Sequence, residues 1–364
     1  MDIAIVGFFA SFFLSLISTP FFRKLALKMN IVDEPDSRKI HKKPIPYLGG
    51  LGFYFSFFSV LLFLFFSEQN YFTRNFVEKY PIIFMASTAI VLMGIVDDIL
   101  GLKAGIKLLI EIFIGIFMYY NGFAIERITI PFSGSLELGK TGIIFTILWF
   151  VAIMNAINLS DGLDGLAGGI SFISALSMGA IFYKSGSIHL SIYCFVLAGA
   201  ILGFLKYNYN PASVFMGDTG SLLLGYLLAT VALWESQKTT SLVTLLVPIV
   251  ATALPILDTI LAFFRRIIKG KHPFKPDKKH LHHRLLEIGL TQKQAVFFMY
   301  FLSVYFGIMA FLLANIPVNY VLPLVILLAL FLFGLYWMLI FLEQRIIPMQ
   351  KVLTKYTKKR EKKK

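Results

Sequence analysis

Five carboxylates, three amides and one histidine-rich basic run supply the chemistry available to this sequence. They lie in four segments: Asp97-Asp98; Asn155-Ala-Ile-Asn-Leu-Ser-Asp-Gly-Leu-Asp-Gly-Leu-Ala-Gly-Gly169; Asn208-Tyr-Asn-Pro-Ala-Ser-Val-Phe-Met-Gly-Asp218; and His280-Leu-His-His-Arg284. Adjacent carboxylates on an apolar segment repel each other unless a cation lies close. Asp97, Asp98, Asp161, Asp164 and Asp218, with Asn155, Asn158 and Asn208, offer the oxygen ligands that Mg2+ takes alongside substrate phosphates. Arg38, His41 and Lys43 in one loop, and the run at 280–284 in another, could clamp a diphosphate. The chemistry implied is phosphoryl transfer, which rests mainly on positioning and charge neutralisation. A Walker lysine motif and a zincin His-Glu pattern are both absent from the chain, which argues against an ATPase or a metalloprotease.

The elements that must hold these groups are apolar. One Asp near the centre of a membrane helix costs roughly 2.5–3.5 kcal/mol, so polar clusters beside such segments need a reason. Hydrophobic residues make up 57% of the 364 and charged ones 15%, which excludes an ordinary soluble domain. Runs long enough to cross a bilayer recur at 3–22, 48–67, 81–99, 106–120, 142–157, 165–183, 188–207, 219–235, 241–264, 294–315 and 317–343. The expected fold is therefore all-α and polytopic, with about 11 transmembrane helices in one catalytic domain over 1–343. A basic tail over 344–364 is expected to be disordered and to anchor on anionic lipid. Alternation around Ser133-Gly134 predicts a small outer-face hairpin near 125–138.

Charge distribution sets the orientation. With the N-terminus outside, inner segments hold 28 of the 34 Lys and Arg and outer loops hold 6, so the C-terminus is cytoplasmic. This asymmetry accounts for the net charge of +14 without nucleic acid. Asp2 precedes the first run and no basic residue appears before Arg23, so the first helix is expected to stay rather than be cleaved. The single Cys194 lies in an apolar run and excludes a disulfide framework. All four polar segments then fall on the same face, which favours an active site at the membrane surface over ion sites at mid-depth.

Several residues keep a second reading. The loop at 23–47 is also an ordinary positive-inside loop, and Asp218 could merely cap the next helix. Lys107 stands with Asp97 and Asp98 as a catalytic candidate, yet it could simply pair with Glu111 four residues on. Asp258 lies one helical face from Arg265 and reads as structural. Four of the six histidines sit in 271–285, but the five Lys and Arg around them disfavour a metal and suit phosphate.

The four motifs, in this order, resemble the polyprenyl-phosphate N-acetylhexosamine-1-phosphate transferases (glycosyltransferase family 4) over most of the chain. Such enzymes move a sugar 1-phosphate from a UDP-sugar to undecaprenyl phosphate, releasing UMP. The resemblance implies Mg2+, with Mn2+ possible, held by Asp218 with help from Asn158. It places Asp97 and Asp98 beside the lipid phosphate, and Asn208, Phe215, Gly162, Leu163 and Asp164 around uridine. His280, His282, His283 and Arg284 would meet the pyrophosphate, with Asp161, Asn155, Arg38, His41 and Lys43 near phosphate or sugar. Gly101 stands where an extended Asp-Asp-x-x-Asp pattern would carry a third acid, so a role for that acid is unsupported here. The form of the histidine run resembles the branch that uses UDP-N-acetylglucosamine (UDP-GlcNAc) to begin O-antigen, common antigen or teichoic acid. The expected partners are that donor, undecaprenyl phosphate and membrane lipid, in a bacterial cytoplasmic membrane, with a homodimer suggested by the family alone. The phospho-MurNAc-pentapeptide transferases of peptidoglycan synthesis are the nearest alternative. A flippase for polyprenyl-linked sugars is the alternative of a different class, but no pairing of broken spans between the halves supports it.

Overall fold

A computed structural model of the protein describes residues 2–35, 43–130, 134–236, 250, 252–268 and 280–361. The helices are α1 Asp2–Lys28, α2 Gly49–Ser67, α3 Arg74–Leu100, α4 Ala104–Tyr120, α5 Gly142–Ser160 and α6 Leu166–Lys184. They continue as α7 Ile188–Asn208, α8 Gly217–Ser236, α9 Ala253–Ile268, α10 Leu281–Glu287, α11 Gln292–Asn315 and α12 Val318–Glu361. Two short antiparallel pairs interrupt them. β1 (Val32–Asp33) pairs with β2 (Ile45–Pro46), and β3 (Arg127–Ile130) pairs with β4 (Gly134–Glu137) in the register Arg127 to Glu137.

Eight of the described helices are long and apolar enough to cross a membrane, so the chain is a multi-pass helical membrane protein. The expectation was about 11. At 17 residues α4 is shorter than the roughly 20 that a span takes. Residues 241–249 of the expected ninth span lie outside the described residues, and α9 follows them.

Helix boundaries depart from the apolar runs where charged residues are good helix formers. α3 starts at Arg74 rather than 81, because the Thr73 side chain accepts from the Phe76 amide and Arg74 pairs with Glu78 one turn on. Pro81 is carried inside the helix. α12 likewise continues to Glu361, through most of the segment expected to be a disordered tail. Lys, Arg, Gln and Leu interrupt hydropathy there without interrupting helix propensity.

α7 is buried on nearly every face and forms the centre of the bundle. Hydroxyls fasten its neighbours: Ser11 of α1 donates to the Val196 carbonyl at 2.7 Å, and Tyr207 donates back to the Leu16 carbonyl at 2.9 Å. Such bonds satisfy polar atoms where no water reaches. α3 crosses α8 at Gly94, where any side chain would run into the Thr219 backbone. That contact seats the C-terminus of α3 beside the N-terminus of α8. α12 is the opposite case, with Leu322, Ile326, Leu330 and Phe333 all exposed, as a face toward lipid should be.

Candidate active site

The ends of α3, α5 and α7 and the beginnings of α4, α8 and α10 meet at one end of the bundle. Carboxylate oxygens of Asp97, Asp98 and Asp218 all lie within 4.8 Å of one another. Between two of them sits Lys107, its Nζ donating to Asp218 Oδ2 at 2.7 Å and to Asp97 Oδ2 at 3.0 Å. Lys107 therefore does not pair with Glu111. The buried Glu111 carboxylate instead accepts from Asn155 Nδ2, which also donates to the Val151 carbonyl at 2.9 Å.

The two neighbouring aspartates do different work. Asp98 turns toward α8, accepting from the Asp218 amide at 2.9 Å and from the Thr219 hydroxyl at 2.8 Å. It caps a helix whose spare N–H groups it satisfies, and Gly217 precedes that helix at φ 65° with Asp98 packed against it. Asp97 stays nearer the surface, and besides Lys107 it accepts only the Leu102 amide among the printed bonds, at 2.7 Å. Asp218 is steadied from its other side by Asn158, whose Nδ2 donates to Asp218 Oδ1 at 3.0 Å and to Ser221 at 2.9 Å. The residues fit a divalent cation. Hard oxygen donors converge, and the ammonium of Lys107 already bridges two of them where a cation would sit. Asp218 and Asp97 would hold it, with the Asn158 carbonyl oxygen beside them.

A second tier of sequence candidates is spent on joining loops. Asn208 is buried, accepting from the Gly165 amide at 3.1 Å and donating to the Val214 carbonyl at 3.0 Å. Asp164 accepts from Asn210 Nδ2 at 2.9 Å and from the Ala212 amide at 3.0 Å. Together they clamp the 161–165 turn onto the 208–218 loop. Leu163 is buried beneath that turn, while Gly162 is exposed with His282 Nε2 against it. Asp161 lies half-buried between the two tiers, and burial, then the charges of Asp218, Asp98 and Asp164, pushes its carboxyl up to about 8. Burial and the neighbouring His283 hold the His282 imidazole down at about 4, so it is neutral near pH 7. The guanidinium of Arg284 lies 5.8 Å from the Tyr336 ring of α12. Lys43 is exposed beside β2, and Arg38 and His41 lie outside the described residues.

Two contributors escape a reading of motifs. Tyr47 hydrogen-bonds Asp33 and its ring centroid lies 6.2 Å from that of Phe215; burial, then Asp33, raises its phenol well above the ordinary value. The Phe215 amide donates to the Pro46 carbonyl at 2.9 Å, and the Gly49 amide donates to the Phe215 carbonyl at 3.0 Å, so the first inner loop supports the third motif directly. Tyr300 of α11 donates to the Gly165 carbonyl at 2.5 Å, bracing the 161–165 turn from below. The proline-rich stretch before Gly49 was the available signal for Tyr47. Tyr300 sits in a plain apolar helix and had none.

Comparison with known proteins agrees with this geometry. A probable undecaprenyl-phosphate N-acetylglucosaminyl 1-phosphate transferase of Bacillus subtilis is 35% identical over 312 residues, covering 85% of both chains. The chain belongs to glycosyl transferase family 4. The profile of that family matches residues 80–236, the stretch that carries Asp97, Asp98, Asn158 and Asp218. A decaprenyl-phosphate N-acetylglucosaminephosphotransferase of Mycolicibacterium smegmatis is 35% identical, covering 85% of this chain and 81% of its own. The undecaprenyl-phosphate alpha-N-acetylglucosaminyl 1-phosphate transferase of Escherichia coli K12 is 32% identical, covering 76% and 74%. The family 4 site in this chain thus lies at the convergence of six helix ends, with Lys107 at its centre.

Proposed function

We propose that this protein transfers N-acetylglucosamine 1-phosphate from UDP-GlcNAc to undecaprenyl phosphate, giving undecaprenyl-pyrophosphoryl-GlcNAc and UMP. The observation that carries the reading is the Asp97–Lys107–Asp218 arrangement, on a chain whose relatives are named for this transfer. The lipid phosphate attacks the phosphorus bonded to the sugar oxygen, and the bond from that phosphorus to the bridging oxygen of UMP breaks. The problem is electrostatic, because an anion must approach a dianionic diphosphate. Mg2+ held by Asp218 and Asp97 supplies charge neutralisation. Lys107 adds a fixed positive charge that needs no proton transfer. Asp98 and Asn158 orient Asp218, and the 161–165 turn with Phe215 bounds the space for the nucleoside. The site lies on the cytoplasmic face, where the basic loops are, and the reaction is the first membrane step of a cell-surface polysaccharide.

The test is UMP release by full-length protein in detergent, with undecaprenyl phosphate and Mg2+. UDP-GlcNAc and UDP-MurNAc-pentapeptide are offered separately, with Asp218→Asn as control. Turnover with UDP-GlcNAc that the substitution removes is the expected result. Turnover with the muramyl donor alone would move the protein to the peptidoglycan branch.

A further inference from the structure

Asp258 is the only acid in α9, and it reaches the histidine run rather than the arginine seven residues on. Its Oδ1 accepts from the Leu281 amide at 2.9 Å, capping α10, and its Oδ2 lies 3.1 Å from His280 Nδ1. Both side chains are buried, at 9% and 4% exposure. An ionised carboxylate can only accept, so the His280 Nδ1 must carry the hydrogen. The proton-free position is then Nε2. That atom is buried and has no hydrogen-bond partner. Both ring nitrogens of His282 are in the same condition, and its ring lies parallel to that of His280, with centroids 6.0 Å apart. Buried polar atoms without partners are rare and call for a ligand or an ordered water. His282 points Nε2 at Gly162, so this orphaned imidazole pair adjoins the 161–165 turn.

We propose that Asp258 is a positioning residue that holds His280 ready to take a solvent proton on Nε2 when the diphosphate of the donor binds. The bound state is then a chain of carboxylate, imidazolium and phosphate. This rests on the donor reading given above. No covalent bond changes; one proton moves from solvent to Nε2, and the buried charge of Asp258 stabilises the resulting imidazolium. The ionisable groups around His280 are Asp258 from α9, His282, His283 and Arg284 from α10, and Asp161 from the turn beyond Gly162. Among these histidines His280 alone has a carboxylate at hydrogen-bond distance in the described contacts, which is why the proton is assigned to it rather than to His282.

The experiment is calorimetry of UDP-GlcNAc binding to full-length protein in detergent with Mg2+ and without acceptor lipid. It is run near pH 7.5 in buffers of different ionisation enthalpy. Wild type is expected to take up about one proton per donor bound. Asp258→Asn preserves both hydrogen bonds but donates to Nδ1, which moves the ring proton to Nε2 and removes the charge. Proton uptake should vanish, KM for the donor should rise about tenfold, and kcat should stay within about twofold. Nitrogen-15 spectra of the histidines should show His280 protonated at Nδ1 in wild type and at Nε2 in the variant. Turnover without proton uptake in wild type overturns the proposal, and so does an Asp258→Asn protein with unchanged KM and uptake. If wild type uses no UDP-GlcNAc, the donor reading fails instead. The nitrogen spectra, which need no donor, then still decide whether Asp258 sets the tautomer, and an unchanged tautomer in the variant overturns that step. They also stand in for the kinetics should the variant be too unstable to assay.

Discussion

Two lysines on neighbouring helices solve the same problem in opposite ways. Lys79, near the start of α3, is 9% exposed and donates to the Asn121 and Gly122 carbonyls at 2.6 and 2.7 Å, with its Nζ 4.4 Å from the centre of the Phe123 ring. Lys107, at the start of α4 and the other end of the bundle, is 24% exposed and donates to Asp97 and Asp218. The acceptors of Lys79 are backbone carbonyls at the end of α4, fixed in place, neutral and already in need of donors. Those of Lys107 are ionised side chains that a metal or phosphate can compete for. The first arrangement is closed, and it ties α3 to α4. The second is open, and its partners are exchangeable. A buried charge in a membrane protein thus marks function when its partners are themselves charged and reachable, rather than merely by being charged.

The largest effect that would sharpen this contrast is on Asp218. Asp218→Asn keeps the side-chain volume, so the melting temperature should stay within a few degrees, while kcat for UMP release falls by about 10^3-fold. A fall of less than about tenfold would remove Asp218 from the cation site. Next comes the pair of lysines. Lys107→Met should lower kcat by about 10^2-fold with little change in stability, since it removes a positive charge beside the transferred phosphate. Lys79→Met keeps the contact with Phe123 but strands two carbonyls, so it should cost about 1–3 kcal/mol of stability and leave kcat of the folded fraction unchanged. Thermal unfolding and turnover measured on both variants check this directly. If Lys79→Met slowed turnover at full stability, the division into closed and open clusters would be wrong.

Much of the inner cluster was legible because residue type and membrane side suffice to predict it. Asp97, Asp98 and Asp218 stand at the ends of apolar runs that one topology brings to one face, and the fold brings them within reach of each other. What could not be read was which lone pairs the protein itself consumes. Asn208 and Asp164 have the chemistry of ligand-binding residues, yet their polar atoms tie the 161–165 turn to the 208–218 loop. Lys107 was four residues from Glu111 and 111 from Asp218, so local spacing pointed to the nearer acid and packing selected the distant one. Lys79 was hidden for a related reason. A lysine at the edge of a run reads as a flank, and only the helix start at Arg74 places it inside. Asp258 lay 22 residues from His280 across a loop, a separation that no periodicity reports.

Acid should separate the two clusters again. His282 is buried with its imidazole held from 6.5 down to about 4, whereas an unfolded chain would bind that proton at 6.5. The unfolded state therefore gains protons first as pH falls. The stability present above pH 6.5 is lost progressively toward pH 4, by at most about 3 kcal/mol. The carbonyl acceptors of Lys79 do not titrate in that window. Hydrogen exchange at pH 7 and pH 5 should show loss of protection around α10 and the 161–165 turn, with the ends of α3 and α4 beside Lys79 unchanged. Equal loss in both places would mean that the bundle opens as one unit and that His282 does not set its acid limit.

The smallest effect belongs to the outer end. Trp234 of α8 is buried, stacks on Phe76 at 5.4 Å and donates its indole N–H to Asn75 Oδ1 at 2.8 Å. Asn75→Leu removes the acceptor while leaving the ring stack intact. Because Asn75 is exposed, water can take its place, and the cost should be only about 0.5–1.5 kcal/mol. Trp234 fluorescence should shift as the indole N–H changes partner, and UMP release should not change. The value of so mild a substitution lies in its distance from Asp218 along the same helix. α8 starts at the cation site and ends at Trp234, so a change in turnover would show that the outer end sets the position of Asp218 through the helix. Unchanged turnover with a measurable loss of stability would leave the two ends energetically separate, as the closed and open arrangements of their lysines require.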